Sequence, residues 1–248
     1  MLVPVHELIV FAAAVVAGGI NAVAGGGTLV SFPVLIWLGV PSIQANATNT
    51  VALWPGSLGS AWGYRRELRG ADQRLYALVV PSLLGGIAGA ILLHRTPTEV
   101  FDRLVPVLIL FATVLFMVQE PVQRRFNLAQ AHRAWAMLFQ FAVGVYGGYF
   151  GAGIGILMLA ALSLMGHTNI HQMNGIKNLL AVCINGIAAA YFIAAGLVLW
   201  PDAIVMAIGA VAGGVGGAAL ARRLPQRTVR RAVVAIGFGM ALSLMLRL

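Results

Sequence analysis

The chain has 248 residues, of which 60% are apolar or aromatic and only 9% are charged, whereas a typical soluble domain has about 25% charged residues. This composition excludes an ordinary water-soluble fold. The single cysteine, Cys183, excludes disulfides within the chain and cysteine-based metal sites. The net charge of +9 does not indicate nucleic acid, because 15 of the 16 basic residues lie in short connections between apolar runs and act as topology signals beside anionic lipid.

Ten apolar runs predict a polytopic helical membrane protein. In chain order they are 8–24, 28–38, 47–64, 75–93, 105–118, 134–150, 154–165, 179–195, 204–220 and 233–246. The runs 28–38 and 154–165 are too short to cross, since each covers only about 17 Å as a helix against a hydrocarbon core of ~30 Å. Each follows a glycine cluster, and these two clusters are Gly25-Gly26-Gly27 and Gly151-Ala152-Gly153.

The two clusters reveal an internal repeat, because they align at an offset of 126 residues. The match continues at an offset of 128, where Asn46 aligns with Asn174, Asn49 with Lys177 and Thr50 with Asn178. A break with a short helix in both halves is typical of a transporter site. We therefore expect an all-α polytopic membrane protein with two inverted repeats, each a glycine-broken helix hairpin plus three membrane-crossing helices. The first repeat is 1–120, a cytoplasmic linker is 121–133, and the second repeat is 134–248.

The basic residues predict the orientation. If each break forms a hairpin, one membrane face carries twelve arginines and the other carries only Arg95, Arg103 and Arg247. If the short segments are only loops, the division is 8 to 7 and gives no signal. Because basic loops stay in the cytoplasm, the 12 to 3 division favours inverted halves with both termini outside.

A longer sequence motif resembles the motif of a known family. The motif is Gly19-Ile20-Asn21-Ala22-Val23-Ala24-Gly25-Gly26-Gly27, followed by Pro33, Leu38-Gly39-Val40-Pro41 and Ala45-Asn46-Ala47-Thr48-Asn49, with a degenerate second copy from Gly144 to Asn178. It resembles the TauE/SafE family of sulfite and organosulfonate permeases over nearly the whole chain. The resemblance implies a transporter of the bacterial inner membrane that exports small sulfur oxyanions.

Anion binding also follows from the backbone at the breaks. The short helices begin with unpaired N–H groups that carry partial positive charge, and two inverted copies direct both helix ends towards the midplane. Glycine lets an oxyanion approach such a backbone closely. The alternative, tight helix packing, is the preferred interpretation for the glycines of 85–89 and 213–217, which have no polar neighbours. The backbone candidates are Gly25, Gly26, Gly27, Gly151 and Gly153.

Lys177 is the only formal charge inside an apolar helix, one turn from its predicted start. An intramembrane charge costs roughly 2.5–3.5 kcal/mol on insertion scales. All seven acidic residues lie at or beyond the ends of runs, so a bound anion is the candidate counter-charge. The alternative is that Lys177 snorkels to the interface.

Polar side chains form one stripe on a helix face in each half. They are Asn46, Thr50 and Ser57 in the first half and Asn174, Asn178 and Asn185 in the second. Uncharged donors suit an anion that must bind and leave, whereas the alternative is interhelical hydrogen bonding without substrate. The predicted substrate-binding side chains are Asn21, Asn46, Thr48, Asn49, Thr50, Asn174, Lys177 and Asn178.

The predicted function is transport by alternating access around a midplane anion site, with a small anion and membrane lipid as partners and with no cofactor, metal or nucleic acid. His171 is the proton-coupling candidate, since it lies three residues before Asn174. No His-x-x-x-His pair, phosphate loop or Gly-x-Ser-x-Gly elbow occurs, which argues against an enzyme. A passive anion channel, a permease for another small organic anion and a non-transporting assembly protein are the alternatives. The sequence leaves a homodimer open.

Overall fold

The computed structural model describes residues 3–23, 26–63, 65, 68, 76–125, 133–165, 170–221 and 226–246. Every regular element in this part of the chain is an α-helix, which confirms the all-α fold class. The helices are α1 Val3–Val23, α2 Thr28–Trp37, α3 Ser42–Gly63, α4 Val79–Arg95, α5 Thr98–Arg125, α6 Arg133–Tyr149, α7 Ile154–Leu164, α8 Ile170–Ala194, α9 Trp200–Ala221 and α10 Gln226–Met245.

Several helices extend beyond the apolar runs that predicted them. Helix α8 begins at Ile170, nine residues before its run, because polar residues in a first turn do not prevent backbone hydrogen bonding. Lys177 therefore lies about 10 Å along α8, two turns from the helix start rather than the predicted one. Helix α5 continues to Arg125, so the first five positions of the predicted linker 121–133 are helical, and 126–132 lie outside the described residues.

The outer surface of the bundle is apolar. Leu8, Val80, Ile208 and Val215 each expose more than half of their surface, a pattern that lipid stabilises and water does not. By length and hydropathy, Thr98–Met117 and Gln172–Ala194 qualify as membrane spans, with mean hydropathies of 2.1 and 1.6. Helices α1, α3 and α9 have 21 or 22 residues and so reach just over ~30 Å.

Both glycine clusters break the chain before a short helix. Helices α2 and α7 contain 10 and 11 residues. The breaks contain three positive backbone angles, with φ of 99° at Gly26, 80° at Gly151 and 77° at Gly153. Glycine adopts this left-handed region without the steric penalty of a Cβ. The backbone itself therefore requires glycine at these positions, whether or not an anion approaches.

The two halves pack closely against each other. Helix α1 of the first half packs most extensively against α9 of the second half, and α4 packs most extensively against α6. A Cβ on Gly213 would overlap the carbonyl oxygen of Val15, and a Cβ on Gly85 would overlap that of Phe141. The glycines are 128 residues apart and their partners 126, so the two contacts are equivalent under the repeat. Close packing is thus the observed role of Gly85 and Gly213, as predicted. The inverted sense of the repeats in a membrane stays a prediction.

Helix α3 of the first half packs against helix α8 of the second half. The Trp54 indole N–H donates to the carbonyl oxygen of Val182 at 3.1 Å, and Gly186 leaves room for the indole ring. Trp54 and Val182 are themselves 128 residues apart, so the helices cross at repeat-equivalent positions. This crossing brings together the two helices that carry the polar stripes.

Candidate functional site

The first glycine break is closed by its own half. The Gly27 N–H donates to Asn21 Oδ1 at 2.7 Å, so the Asn21 carboxamide satisfies one first-turn donor of α2. Gly27 is buried, and a Cβ on it would overlap the carbonyl oxygen of Ala17. The Gly27 amide therefore has neither a free hydrogen-bonding capacity nor space for an anion.

The polar side chains at the start of α3 are also engaged within the protein. Asn46, Thr48 and Asn49 are each at most 1% exposed. Their partners come from α2, α6 and the residue before α9, so they join four helices of the bundle. The bonds are Asn46 Nδ2 to the Tyr149 carbonyl oxygen at 3.0 Å, the Leu199 N–H to Thr48 Oγ1 at 3.0 Å, the Ser31 hydroxyl to Asn49 Oδ1 at 2.5 Å and the Thr50 hydroxyl to the Asn46 carbonyl oxygen at 2.9 Å.

The equivalent residues of α8 lack such partners. Asn174, Lys177 and Asn178 are half-buried, and none forms a hydrogen bond or ion pair with any residue that the structure describes. The Lys177 ammonium thus has no counter-charge among the described residues, although it lies two turns inside a membrane helix. An unneutralised charge in that position normally faces a cavity or a ligand.

The second glycine break is open where the first is closed. The residue equivalent to Asn21 is Gly147, which has no side chain to cap α7, and the Gly153 N–H has no partner among the described residues. A Cβ on Gly153 would have its nearest neighbour at 3.6 Å, on Ala112. The break therefore has a donor without a partner among the described residues, and a Cβ there would make only ordinary van der Waals contact, with no overlap of the kind seen at Gly27.

Lys177 lies against this open helix end. A Cβ on Gly155, in the first turn of α7, would lie 3.2 Å from Lys177 Cδ and 3.8 Å from its Cγ and Cε. Asn185 also approaches the break, since its Oδ1 would be 3.8 Å from a Cβ on Gly151. The stem of a lysine, the carboxamide of Asn185 and the positive end of a helix thus adjoin one another, which is an arrangement for binding an anion.

Comparison with known proteins identifies the family. Residues 10–244 match the family described as sulfite exporter TauE/SafE. The chain belongs to the TauE/SafE family. This TauE/SafE chain is similar to a "Probable membrane transporter protein" of Haemophilus influenzae, at 27% identity over 94% of the chain and 91% of the relative. It is also similar to the "Probable membrane transporter protein YfcA" of Escherichia coli K12, at 26% identity over 99% of the chain and 91% of the relative. No solved structure matches the chain.

The family and these relatives make the chain a membrane transporter and not an enzyme. Of the predicted site residues in this TauE/SafE chain, the structure places Lys177 and Gly153 at one helix end, with Asn174 and Asn178 along the same helix as Lys177. It places Asn21, Asn46, Thr48, Asn49 and Thr50 in hydrogen bonds within the protein. Gly25 and the side chain of His171 lie outside the described residues.

Sequence reasoning did not single out three residues that shape the two breaks. Ser31 is the donor to Asn49, Tyr149 supplies the carbonyl that Asn46 binds, and Gly155 leaves room for the Lys177 side chain. Gly155 carried a usable signal, since a glycine in the first turn of a short helix indicates close approach of another group. Tyr149 carried none, because only its backbone oxygen takes part.

Proposed function

We propose that this TauE/SafE transporter exports a small sulfur oxyanion, sulfite or an organosulfonate, by alternating access around a site at the second glycine break. The observation that carries the proposal is that Lys177, which has no partner among the described residues, lies beside the N-terminus of α7, where the Gly153 N–H likewise has none. The family description as sulfite exporters supports the substrate class. An anion at this position would supply the counter-charge that the described residues do not.

The first break indicates how an oxygen atom would bind at the second. There, Asn21 Oδ1 accepts from the Gly27 N–H, and Gly27 corresponds to Gly153 in the second half. In the proposed complex a substrate oxygen accepts from the Gly153 N–H, although the backbone there differs, with a φ of 77° against −56° at Gly27. Lys177 neutralises the substrate charge, and the carboxamides of Asn174 and Asn178 donate to its remaining oxygens.

The proposed substrate contacts are thus fewer than the sequence predicted. Asn21, Asn46, Thr48 and Asn49 already have protein partners, so in this conformation we assign them to positioning the helices around the site. Uncharged donors and one lysine bind a small anion reversibly, whereas several cations would retain it. This composition suits a transport cycle in which the anion must leave.

The orientation in the bacterial inner membrane is also part of the proposal, with both termini outside and the repeats 1–120 and 134–248 inverted. Single cysteines at Arg66, Arg125 and Arg227, which lie outside the described side chains, can be introduced with Cys183→Ser. We expect an impermeant thiol reagent to label them only after the membrane is opened. Labelling of position 66 on intact cells would contradict the inverted arrangement.

Binding of anions to the purified protein tests the site. A charge-assisted hydrogen bond contributes about 1.5–3 kcal/mol, so Lys177→Ala should weaken sulfite or sulfoacetate binding by roughly 10- to 150-fold. Arg95→Ala is the matched control, because it removes an exposed cation at the end of α4. Calorimetry on the detergent-purified proteins measures the anion affinity of both variants. A neutral analogue serves as the ligand that should not bind.

Equal binding by Lys177→Ala and the parent protein would make Lys177 a snorkelling residue and would remove the proposed site. Anion flux into liposomes then separates transport from a passive channel, since a channel would show conductance far above the turnover of a transporter. Flux with and without a proton gradient tests proton coupling, for which His171 is the candidate residue. Binding of carboxylates but not of sulfur oxyanions would indicate a permease for another small organic anion.

A further inference from the structure

One hydrogen bond connects the first half of the chain to the break in the second half. Asn46 Nδ2 donates to the carbonyl oxygen of Tyr149 at 3.0 Å, and Tyr149 is the last residue of α6, two positions before Gly151. The phenol of Tyr149 lies 3.4 Å from Thr96 Oγ1, and its ring packs on Phe101. The bond therefore fixes the backbone that enters the second break.

The repeat contains an equivalent pair that is not bonded. Position 174 corresponds to Asn46 and also carries asparagine, while position 23 corresponds to Tyr149 and is Val23. Any residue at 23 offers the same carbonyl acceptor, because the contact uses only the backbone. Asn174 is half-buried and has no partner among the described residues, whereas Asn46 is 1% exposed. Of two equivalent contacts, the described structure makes one.

We infer that the two asparagines are alternating latches of the transport cycle. Asn46 holds Tyr149 in the conformation described here, and Asn174 holds the Val23 carbonyl oxygen in the opposite one. This inference rests on the alternating-access part of the proposed function. In a transporter built from inverted repeats, the halves exchange conformations about a fixed site, so a contact made by one half in one state is made by the other half in the next.

The energetics of the Asn46 contact suit a latch that must open. Asn46 Oδ1 is buried and has no hydrogen-bond partner, so only one end of the carboxamide is satisfied. An unsatisfied buried acceptor offsets much of the gain from the donor. The latched conformation is thus favoured only modestly, and a ligand with differential affinity can reverse it.

The latch also determines which carboxamide meets the substrate. While Asn46 is bonded to Tyr149, one of its two N–H donors is used and the side chain is buried, whereas the half-buried Asn174 carboxamide has no protein partner among the described residues. After the exchange, Asn174 is bonded and Asn46 is released. Each asparagine is accordingly a substrate contact in one state and a positioning residue in the other.

Labelling from the two sides of the membrane tests the latch. Asn185→Cys with Cys183→Ser supplies a reporter beside Gly151. The ratio of its labelling rates in right-side-out and inside-out vesicles, with an impermeant thiol reagent, reports the balance of the two conformations. Loss of one hydrogen bond should shift this ratio by roughly 2- to 13-fold. We expect Asn46→Ala and Asn174→Ala to shift it in opposite directions.

Gln140→Ala is the matched control, because Gln140 is another buried carboxamide with one unsatisfied oxygen, bonded to Ser82 away from the breaks. It should leave the ratio unchanged. Asn46→Leu keeps the branching at Cγ without the donor and replaces Asn46→Ala should that variant not fold.

Shifts in the same direction, or no shift in either variant, would overturn the latch. These outcomes are independent of the substrate. If Lys177→Ala abolishes anion binding but the ratio does not move, only the latch is wrong. Opposite shifts in a protein that binds none of the tested anions would instead leave the latch standing and contradict the assigned substrate.

Discussion

The two glycine breaks each precede a short helix but differ in backbone angles and in surroundings, since Gly27 has a φ of −56° and its equivalent Gly153 a φ of 77°. At the first, Asn21 caps the Gly27 amide and the Ala17 carbonyl packs against Gly27. At the second, the residue equivalent to Asn21 is Gly147, and the nearest group to a Cβ on Gly153 would be Ala112 at 3.6 Å. One break is filled by the protein itself, and at the other the Gly153 N–H has no partner in the part of the chain that the structure describes.

The helices beside the breaks differ in the same sense. In α3, Asn49 is buried and bonded to Ser31, while its equivalent in α8 is Lys177, half-buried and without a partner among the described residues. The glycine contacts of Gly85 and Gly213, by contrast, are the same in both halves. The repeat therefore supplies a shared scaffold, and a few substitutions make one half structural and the other available to a ligand.

The largest expected effect tests the shared scaffold. Gly85→Ala and Gly213→Ala each force a methyl group onto a backbone carbonyl oxygen, and overpacking of this kind typically costs about 1–3 kcal/mol. We expect similar losses of stability in thermal unfolding of the detergent-purified protein. Gly59→Ala is the control, because no atom lies within 4 Å of its added Cβ. A loss in only one variant would show that the two interfaces are not equivalent.

Asn49 and Lys177 test the difference between α3 and α8. Asn49→Ala removes a buried hydrogen-bond acceptor and should lower the free energy of unfolding by about 1–3 kcal/mol. Lys177→Ala breaks no hydrogen bond or ion pair with the described residues and removes only the packing of its stem near Gly155, so it should lower the free energy of unfolding by less than Asn49→Ala does. Denaturation of both variants in the absence of ligand measures the two free energies of unfolding. A large loss in Lys177→Ala would point to a structural partner of the ammonium.

Asn21 tests the closed break. Asn21→Ala removes the oxygen that accepts from Gly27, and loss of a helix cap costs about 0.5–2 kcal/mol. Asn21→Asp is the control, because its carboxylate keeps an acceptor and favours a helix N-terminus. Thermal unfolding should show a lower melting temperature for Asn21→Ala than for Asn21→Asp. The anion affinity of both variants should stay at the parent value. Weaker anion binding in Asn21→Ala would place the first break in the substrate site.

Gly155→Ala has the smallest expected effect and tests the site at the second glycine break. Its Cβ would lie 3.2 Å from Lys177 Cδ, so Gly155→Ala moves a flexible stem by a few tenths of an ångström. Unlike Gly153, it has no positive φ, so backbone strain does not confuse the result. We expect sulfite affinity to change by less than ~10-fold, measured by calorimetry. Gly214→Ala, with its nearest neighbour at 4.0 Å, should bind as the parent does.

The sequence by itself determined the all-helical membrane fold, including the ten helices of the described residues and the two short ones among them. These features depend on local properties, namely runs of apolar residues and glycine clusters that end a helix. It also indicated the packing role of Gly85 and Gly213 from small residues without polar company. The sequence predicted the ends of the helices less well. Helix α8 begins nine residues before its apolar run, because a polar first turn has low hydropathy.

Only the tertiary structure decided which half presents free polar groups. The stripes of α3 and α8 have the same spacing, and nothing within either helix shows that Asn46 is bonded while Asn174 has no partner among the described residues. The partner of Asn46 is a backbone oxygen 103 residues away, and the partner of Thr48 is a backbone N–H 151 residues away. Whether a buried carboxamide is satisfied depends on such distant backbone groups, which leave no trace in the identity of the residues that carry them.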